Sequence, residues 1–213
     1  NNSQEIQGHS KLIPVHTLED DRNLKKQFDP NKVLITGERF CIKPDDFDLG
    51  NSPDEYLPEK VKGKTIIFST TNGTRALKTA EKNGAKYITT ASFVNATACA
   101  NDVINQKNDI VILCAGRSNK TTKEDSACAG LLVELIFKRC IDNRLKFKLS
   151  DSADIAVKFF NYYREDIYGL LKSSEAGQNL IDVKLGKDLY DCCIIDLLPI
   201  QTLFNNGEIH LKQ

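Results

Sequence analysis

Apolar runs and amphipathic stretches alternate regularly along the chain from residue 64 onward. KTIIFST (64–70) has the near-continuous apolar character of a buried strand, and TRALKTAEKNG (74–84) has helical spacing and closes on Asn83-Gly84. AKYITTA (85–91) reads as the next strand and residues 95–106 as a helix. IVILCAG (110–116), entered from Asp109, is a further strand, followed by a polar loop and a helix over about 124–140. Before this region, LIPV (12–15) and VLIT (33–36) are short strand candidates. Thr17 is placed to cap a helix between them, residues 40–50 read as a loop, and Ser52-Pro53-Asp54-Glu55 announces a short helix. After it, residues 151–195 are mostly helical, with breaks near Ser173-Ser174 and Gly186. LLPIQTLF and EIHLK then flank an Asn206-Gly207 turn and predict a hairpin.

Strands alternating with helices, each strand nearly all apolar, predict a parallel sheet covered on both faces. The expected fold is an α/β three-layer sandwich with a largely parallel or mixed central sheet and a C-terminal hairpin. No repeat or low-complexity linker divides it, so one domain over residues 1–213 is expected.

Composition narrows the function. Lys+Arg and Asp+Glu are both 29, giving zero formal net charge, which argues against a nucleic-acid binder. No apolar run approaches the roughly 20 residues of a membrane span, and the polar opening NNSQEIQGHS is no signal peptide. The seven cysteines are an odd number, and Cys192-Cys193 has no metal-ligand spacing; reduced thiols in a cytoplasmic protein are the expectation. The sequence contains no methionine and opens mid-phrase, so its natural start is expected to be missing.

In parallel α/β sheets, ligands sit at the carboxyl ends of the strands. The corner Ser69 to Arg75 lies at such an end. Gly73 permits close backbone approach or a positive φ, and Thr74 can cap the helix. Thr70, Thr71 and Asn72 add donors, and Arg75 supplies a planar fork suited to phosphate or carboxylate. Capping alone explains Thr74 and Gly73, but not the further polar groups, so an oxyanion site is expected there. A second corner carries Gly116-Arg117 and then Glu124-Asp125 at the start of a helix. Those acids are either ordinary partners of the helix dipole or ligands for Mg²⁺, which takes one or two carboxylates with phosphate oxygens and water. Ala127, Ala129 and Gly130 are small and suit close packing of that helix on the sheet. Glu38-Arg39 and Asp48, Asn51, Ser52 form a third, weaker corner. The three histidines have no partner at ligand spacing, and GxSxG, Walker A and GxGxxG are absent.

GER (37–39), FDLGNSP (47–53), TTNGTRAL (70–77), CAGR (114–117) and EDSACAG (124–130), in that order, resemble the 2-phosphosulfolactate phosphatase family, down to the NGE at 206–208. The resemblance implies an α/β, Mg²⁺-dependent phosphatase. Such enzymes hydrolyse 2-phospho-3-sulfolactate to sulfolactate and phosphate, a step in making coenzyme M. One departure is marked: residues 1–15 resemble the stretch after the family's first strand and helix, so that N-terminal segment is expected to be lacking. With the resemblance, Asp125, Glu124 and Arg75 are the expected catalytic residues. Thr70, Thr71, Asn72, Gly73, Thr74, Arg39, Arg117, Asn51 and Ser52 are expected to bind substrate, and Glu124, Asp125 and Glu38 to hold Mg²⁺. The three arginines answer a substrate bearing carboxylate and sulfonate besides phosphate. A small phosphorylated molecule is the expected partner, with no nucleic acid or membrane, and a homodimer is left open. The rival readings are a non-catalytic binder of a phosphorylated metabolite and an inactive truncated homologue.

Overall fold

A computed structural model describes residues 11–39, 41–70 and 72–212. The chain divides into two compact units, residues 1–89 with 202–213, and residues 90–201, where the sequence pattern predicts one domain.

The first unit is built on a five-stranded mixed sheet. Its strands are β1 (Lys11–Val15), β2 (Val33–Gly37), β3 (Thr65–Ser69), β4 (Thr202–Asn205) and β5 (Glu208–Leu211), in the order β2-β3-β1-β5-β4. β3 pairs in parallel with both β1 and β2, placing Val15, Ser69 and Gly37 at one level at the carboxyl edge. β5 turns antiparallel to β1 and forms a hairpin with β4. Asn206 and Gly207 have φ of 51° and 78°, the positive angles that a two-residue hairpin turn demands.

Alternate side chains of these strands feed two apolar layers. Val15, Val33, Ile35 and Ile67 point to one face, where Leu18 and Leu24 of α1 (Leu18–Lys25) and Phe28 cover them. Leu12, Ile66 and Phe68 point to the other, under Tyr56, Val61 of α2 (Pro58–Val61) and Leu77 of α3 (Gly73–Lys82). The sandwich and the hairpin are as the pattern predicts. α1 starts where expected, because Thr17 Oγ1 accepts from Asp20 N at 3.0 Å while Asp20 accepts in return from Thr17 N at 2.9 Å.

The second unit is helical. α4 (Ala96–Asn105), α5 (Lys123–Asp142), α6 (Asp151–Tyr163), α7 (Ile167–Lys172), α8 (Glu175–Asp182) and α9 (Asp188–Cys192) gather around Cys99, Ala127, Leu131, Phe160, Leu170 and Leu189. Gly130 is a point of close approach, since a Cβ there would run into the Ala156 carbonyl. The small residues of α5 therefore seat it against α6, not against a sheet as expected. No described helix is long and apolar enough to cross a membrane.

Two expected strands do not form. Residues 85–91 run beside β4, with Phe204 N donating to Ile88 O at 2.8 Å, but no ladder extends from that bond. Residues 110–116 lie outside any ladder, with Ile112 against the helical core and Val111 87% exposed. Neither run forms a ladder with a strand partner, and an apolar run does not specify one.

Candidate functional site

The carboxyl edge of β2-β3-β1 is where the first unit concentrates polar groups. β3 ends at Ser69 and the chain turns into α3 through Thr70, Asn72 and Gly73, while Thr71 lies outside the described residues. Thr70 Oγ1 accepts from Gly73 N at 3.0 Å, and the buried Thr74 hydroxyl donates to Thr70 O at 3.2 Å. Thr70 thus does the capping that the sequence assigns to Thr74, and both hydroxyls are spent in holding the turn. Gly73 is not among the positive-φ residues; a Cβ there would meet Thr70 Oγ1 at 3.1 Å, so close packing, not backbone handedness, suits glycine. Asn72 makes no side-chain capping bond, and Arg75 forms no ion pair among the described residues. Both are half-buried at the start of α3, where the helix presents its unpaired N–H groups.

Arg39 reaches across this edge. It leaves the end of β2, donates through Nη1 to Glu38 O at 3.1 Å, and its Nη2 lies 3.4 Å from His16 O beyond β1. Since β3 lies between β2 and β1, the guanidinium spans the end of β3 beside the Thr70 turn. Glu38 is turned inward, its Oε2 accepting from Cys41 N at 2.8 Å. In the 47–53 segment, Asp48 accepts from Ile35 N at 2.8 Å and pairs with Lys25 at 2.9 Å, which ties the loop to β2. Ser52 is buried and Asn51 exposed.

The remaining expected residues belong to the second unit. Arg117 and Lys120 exchange backbone bonds of 3.0 and 2.8 Å around Ser118-Asn119, whose φ of 49° and 63° make a tight two-residue turn. Thr122 caps α5 through Asp125 N at 3.4 Å. Asp125 Oδ2 accepts from Gly116 N at 2.6 Å, pinning the turn to the helix start. Glu124 Oε2 is buried and meets no donor. A carboxylate oxygen in that position is well matched to a cation. The Cys128 thiol is pushed up to about 12 by burial and by Asp125, which leaves it a core thiol and not a nucleophile.

A family model described as 2-phosphosulpholactate phosphatase matches residues 6–207. The chain belongs to that family. Among its relatives, the probable 2-phosphosulfolactate phosphatase of Caldanaerobacter subterraneus is 35% identical over 206 residues, 97% of this chain and 83% of that protein. The Thermotoga maritima protein of the same name is 36% identical over 207 residues, 97% and 84% of the two chains. That of Clostridium acetobutylicum is 34% identical over 202 residues, 95% and 83%. In this family member, no three His, Cys, Asp or Glu side chains among the described residues gather into a metal-binding group.

One polar residue escaped the sequence reading. Asp21 is wholly buried on the sheet-facing side of α1, and burial pushes its carboxyl up to about 6, against the lowering influence of Ser69 and Arg39. Its signal was present: Leu18, Asp21 and Leu24 recur every three residues on one helical face, with the carboxylate between two core leucines.

Proposed function

We propose that the chain hydrolyses the phosphomonoester of 2-phospho-3-sulfolactate, or a similar small anionic phospho-hydroxy acid, to the hydroxy acid and inorganic phosphate. The carrying observation is the set of donors at the start of α3 that are unspent among the described residues. Thr70 and Thr74 hold the turn, which frees Asn72, Arg75 and the helix N–H groups for phosphoryl oxygens. Charge developing on those oxygens is stabilised by donors already fixed in place. Arg39, on the same sheet edge, is a further cation for the carboxylate or sulfonate.

Mg²⁺ fits Glu124 and Asp125, because Glu124 Oε2 is a buried acceptor with no donor. Asp125 Oδ2 and Glu38 Oε2 already accept from Gly116 N and Cys41 N, so either carboxylate would meet an ion through its other oxygen. When bound, the ion would supply Lewis acidity at that helix start. Seven free thiols support a reducing, cytoplasmic setting for this activity.

Phosphate release from 2-phosphosulfolactate, with and without Mg²⁺, tests the reading. Metal-dependent turnover is expected. Arg39→Ala should slow this substrate more than plain phospholactate, by roughly ten- to a hundredfold for a lost charge-assisted contact. Binding of the substrate without any phosphate release would make the chain a metabolite binder instead.

A further inference from the structure

The first unit buries a carboxylate that the proposed reaction does not use. Asp21 has none of its surface exposed, and neither of its carboxylate oxygens meets a donor. Facing it from the end of β3, the Ser69 hydroxyl is buried and unpartnered too; it stands close enough to influence the carboxyl but outside hydrogen-bond geometry. Gly37, level with Ser69 in the register, keeps this space open: a Cβ there would lie 2.9 Å from Ser69 Oγ. Two buried polar groups side by side, both unsatisfied, are costly, and natural folds retain few of them.

The charges around Asp21 are few. β1 presents Ile13 and Val15 to this face, β3 presents Ser69, and the end of β2 contributes Arg39. On its own helix, Asp20 is bound to Thr17 N, and Arg22 is engaged by Asp46 through bonds of 2.6 and 2.9 Å. His16, beyond β1, acts on Asp20. Among the described residues, Arg39 is therefore the cation of this group that is not committed to another carboxylate. Two carbonyl oxygens, among those residues, hold it over the end of β3. An oxyanion settling on Arg39 would claim its charge. A buried carboxylate deprived of its counter-charge binds a proton instead.

We propose that Asp21 is a positioning residue of the oxyanion site: ionised, it attracts Arg39 toward the end of β3 through space, without a direct bond, and it takes up one solvent proton when a dianionic oxyanion docks there. The protonated carboxyl then donates toward Ser69 Oγ, so the buried pair is satisfied in the ligated state. The inference rests on Arg39 meeting the anion, as in the proposed function.

Calorimetric titration of the full chain with sulfate, which does not itself titrate near neutrality, is the test. Measured at about pH 7.5 in two buffers of different ionisation enthalpy, close to one proton should enter per sulfate bound. Affinity should fall roughly tenfold per pH unit above about pH 6. In Asp21→Asn the uptake should vanish and affinity become flat with pH; Asp21→Ala gives the same readout should the amide disturb folding. Sulfate binding by the wild-type chain without proton uptake overturns the inference and leaves the oxyanion site standing. Uptake that persists in Asp21→Asn also overturns it, placing the proton on another group such as His16. Absence of sulfate binding even at about pH 5.5 overturns the oxyanion site and the inference together.

Discussion

The strand-to-helix corner at 70–75 and the turn-to-helix corner at 116–125 are built from similar residues and are left with opposite surpluses. In each, a threonine caps the helix, Thr70 through Gly73 N and Thr122 through Asp125 N. In each, a second hydroxyl folds back on the same threonine, Thr74 to Thr70 O and Ser126 to Thr122 O. After these bonds are counted, the first corner retains Asn72 and Arg75, which donate. The second retains Glu124 Oε2, a buried acceptor, because Asp125 Oδ2 is already taken by Gly116 N. Hydrogen-bond accounting thus sorts two look-alike corners into one suited to an anion and one suited to a cation.

Removing the acceptor surplus should have the largest effect. Glu124→Gln keeps the shape but gives up the charge, so Mg²⁺-dependent phosphate release should drop by about a hundredfold or more. Circular dichroism and sulfate affinity should be unchanged. Turnover near wild type, with the same metal dependence, would break the assignment of the second corner.

Asp21 is an acceptor stranded beside the donor-rich corner, and it makes the next prediction. Its pKa is raised from an ordinary 3.8 to about 6, so the folded state holds its proton more tightly than the unfolded chain does. Its contribution to stability is therefore present below pH 3.8 and is lost as pH rises through about 6. Asp21→Asn should be neutral in denaturant unfolding near pH 3.5 and stabilising near pH 7.5, by on the order of 3 kcal/mol. Equal stability of the two proteins at both pH values would show that the carboxylate is solvated.

Arg75→Lys sharpens the first corner. The charge remains but the fork is lost, so sulfate or substrate should bind about tenfold more weakly, with the melting temperature unmoved. Thr74→Val gives the smallest change. It removes a buried hydroxyl that serves the turn, so about 1 kcal/mol of stability should go while anion affinity per folded molecule stays constant. A large affinity loss in Thr74→Val would mean that the hydroxyl touches the ligand.

How much of this was legible in the sequence depends on whether the deciding partner was local. The cap at Thr17, the Asn206-Gly207 turn and the strand at 65–69 were readable, since each depends on residues a few positions away. Strand 65–69 and the run 110–116 look alike as strings. The first is flanked by ladders on both sides and fully buried, while the second has no ladder and exposes Val111. The neighbouring strand is long-range information that an apolar run does not contain. The strand-to-helix turn at 70–75 forms where the pattern places it, but the division of labour within it does not follow from the pattern: that Thr70 and not Thr74 accepts from the helix's first N–H emerges only from the turn's geometry. Asp21 is one of three consecutive acids in a first helical turn, where pairing with the helix dipole is the ordinary role. Its helical face, shared with Leu18 and Leu24, marked it as buried.

The most direct measurement is a crystal of the full chain soaked in vanadate or sulfate. The anion is expected at the start of α3, bonded to Arg75, Asn72 and the first N–H groups of the helix, with Arg39 at its side. An anion bound elsewhere, the corner vacant and Arg75 turned into a salt bridge, would contradict the assignment of this corner as the phosphoryl site.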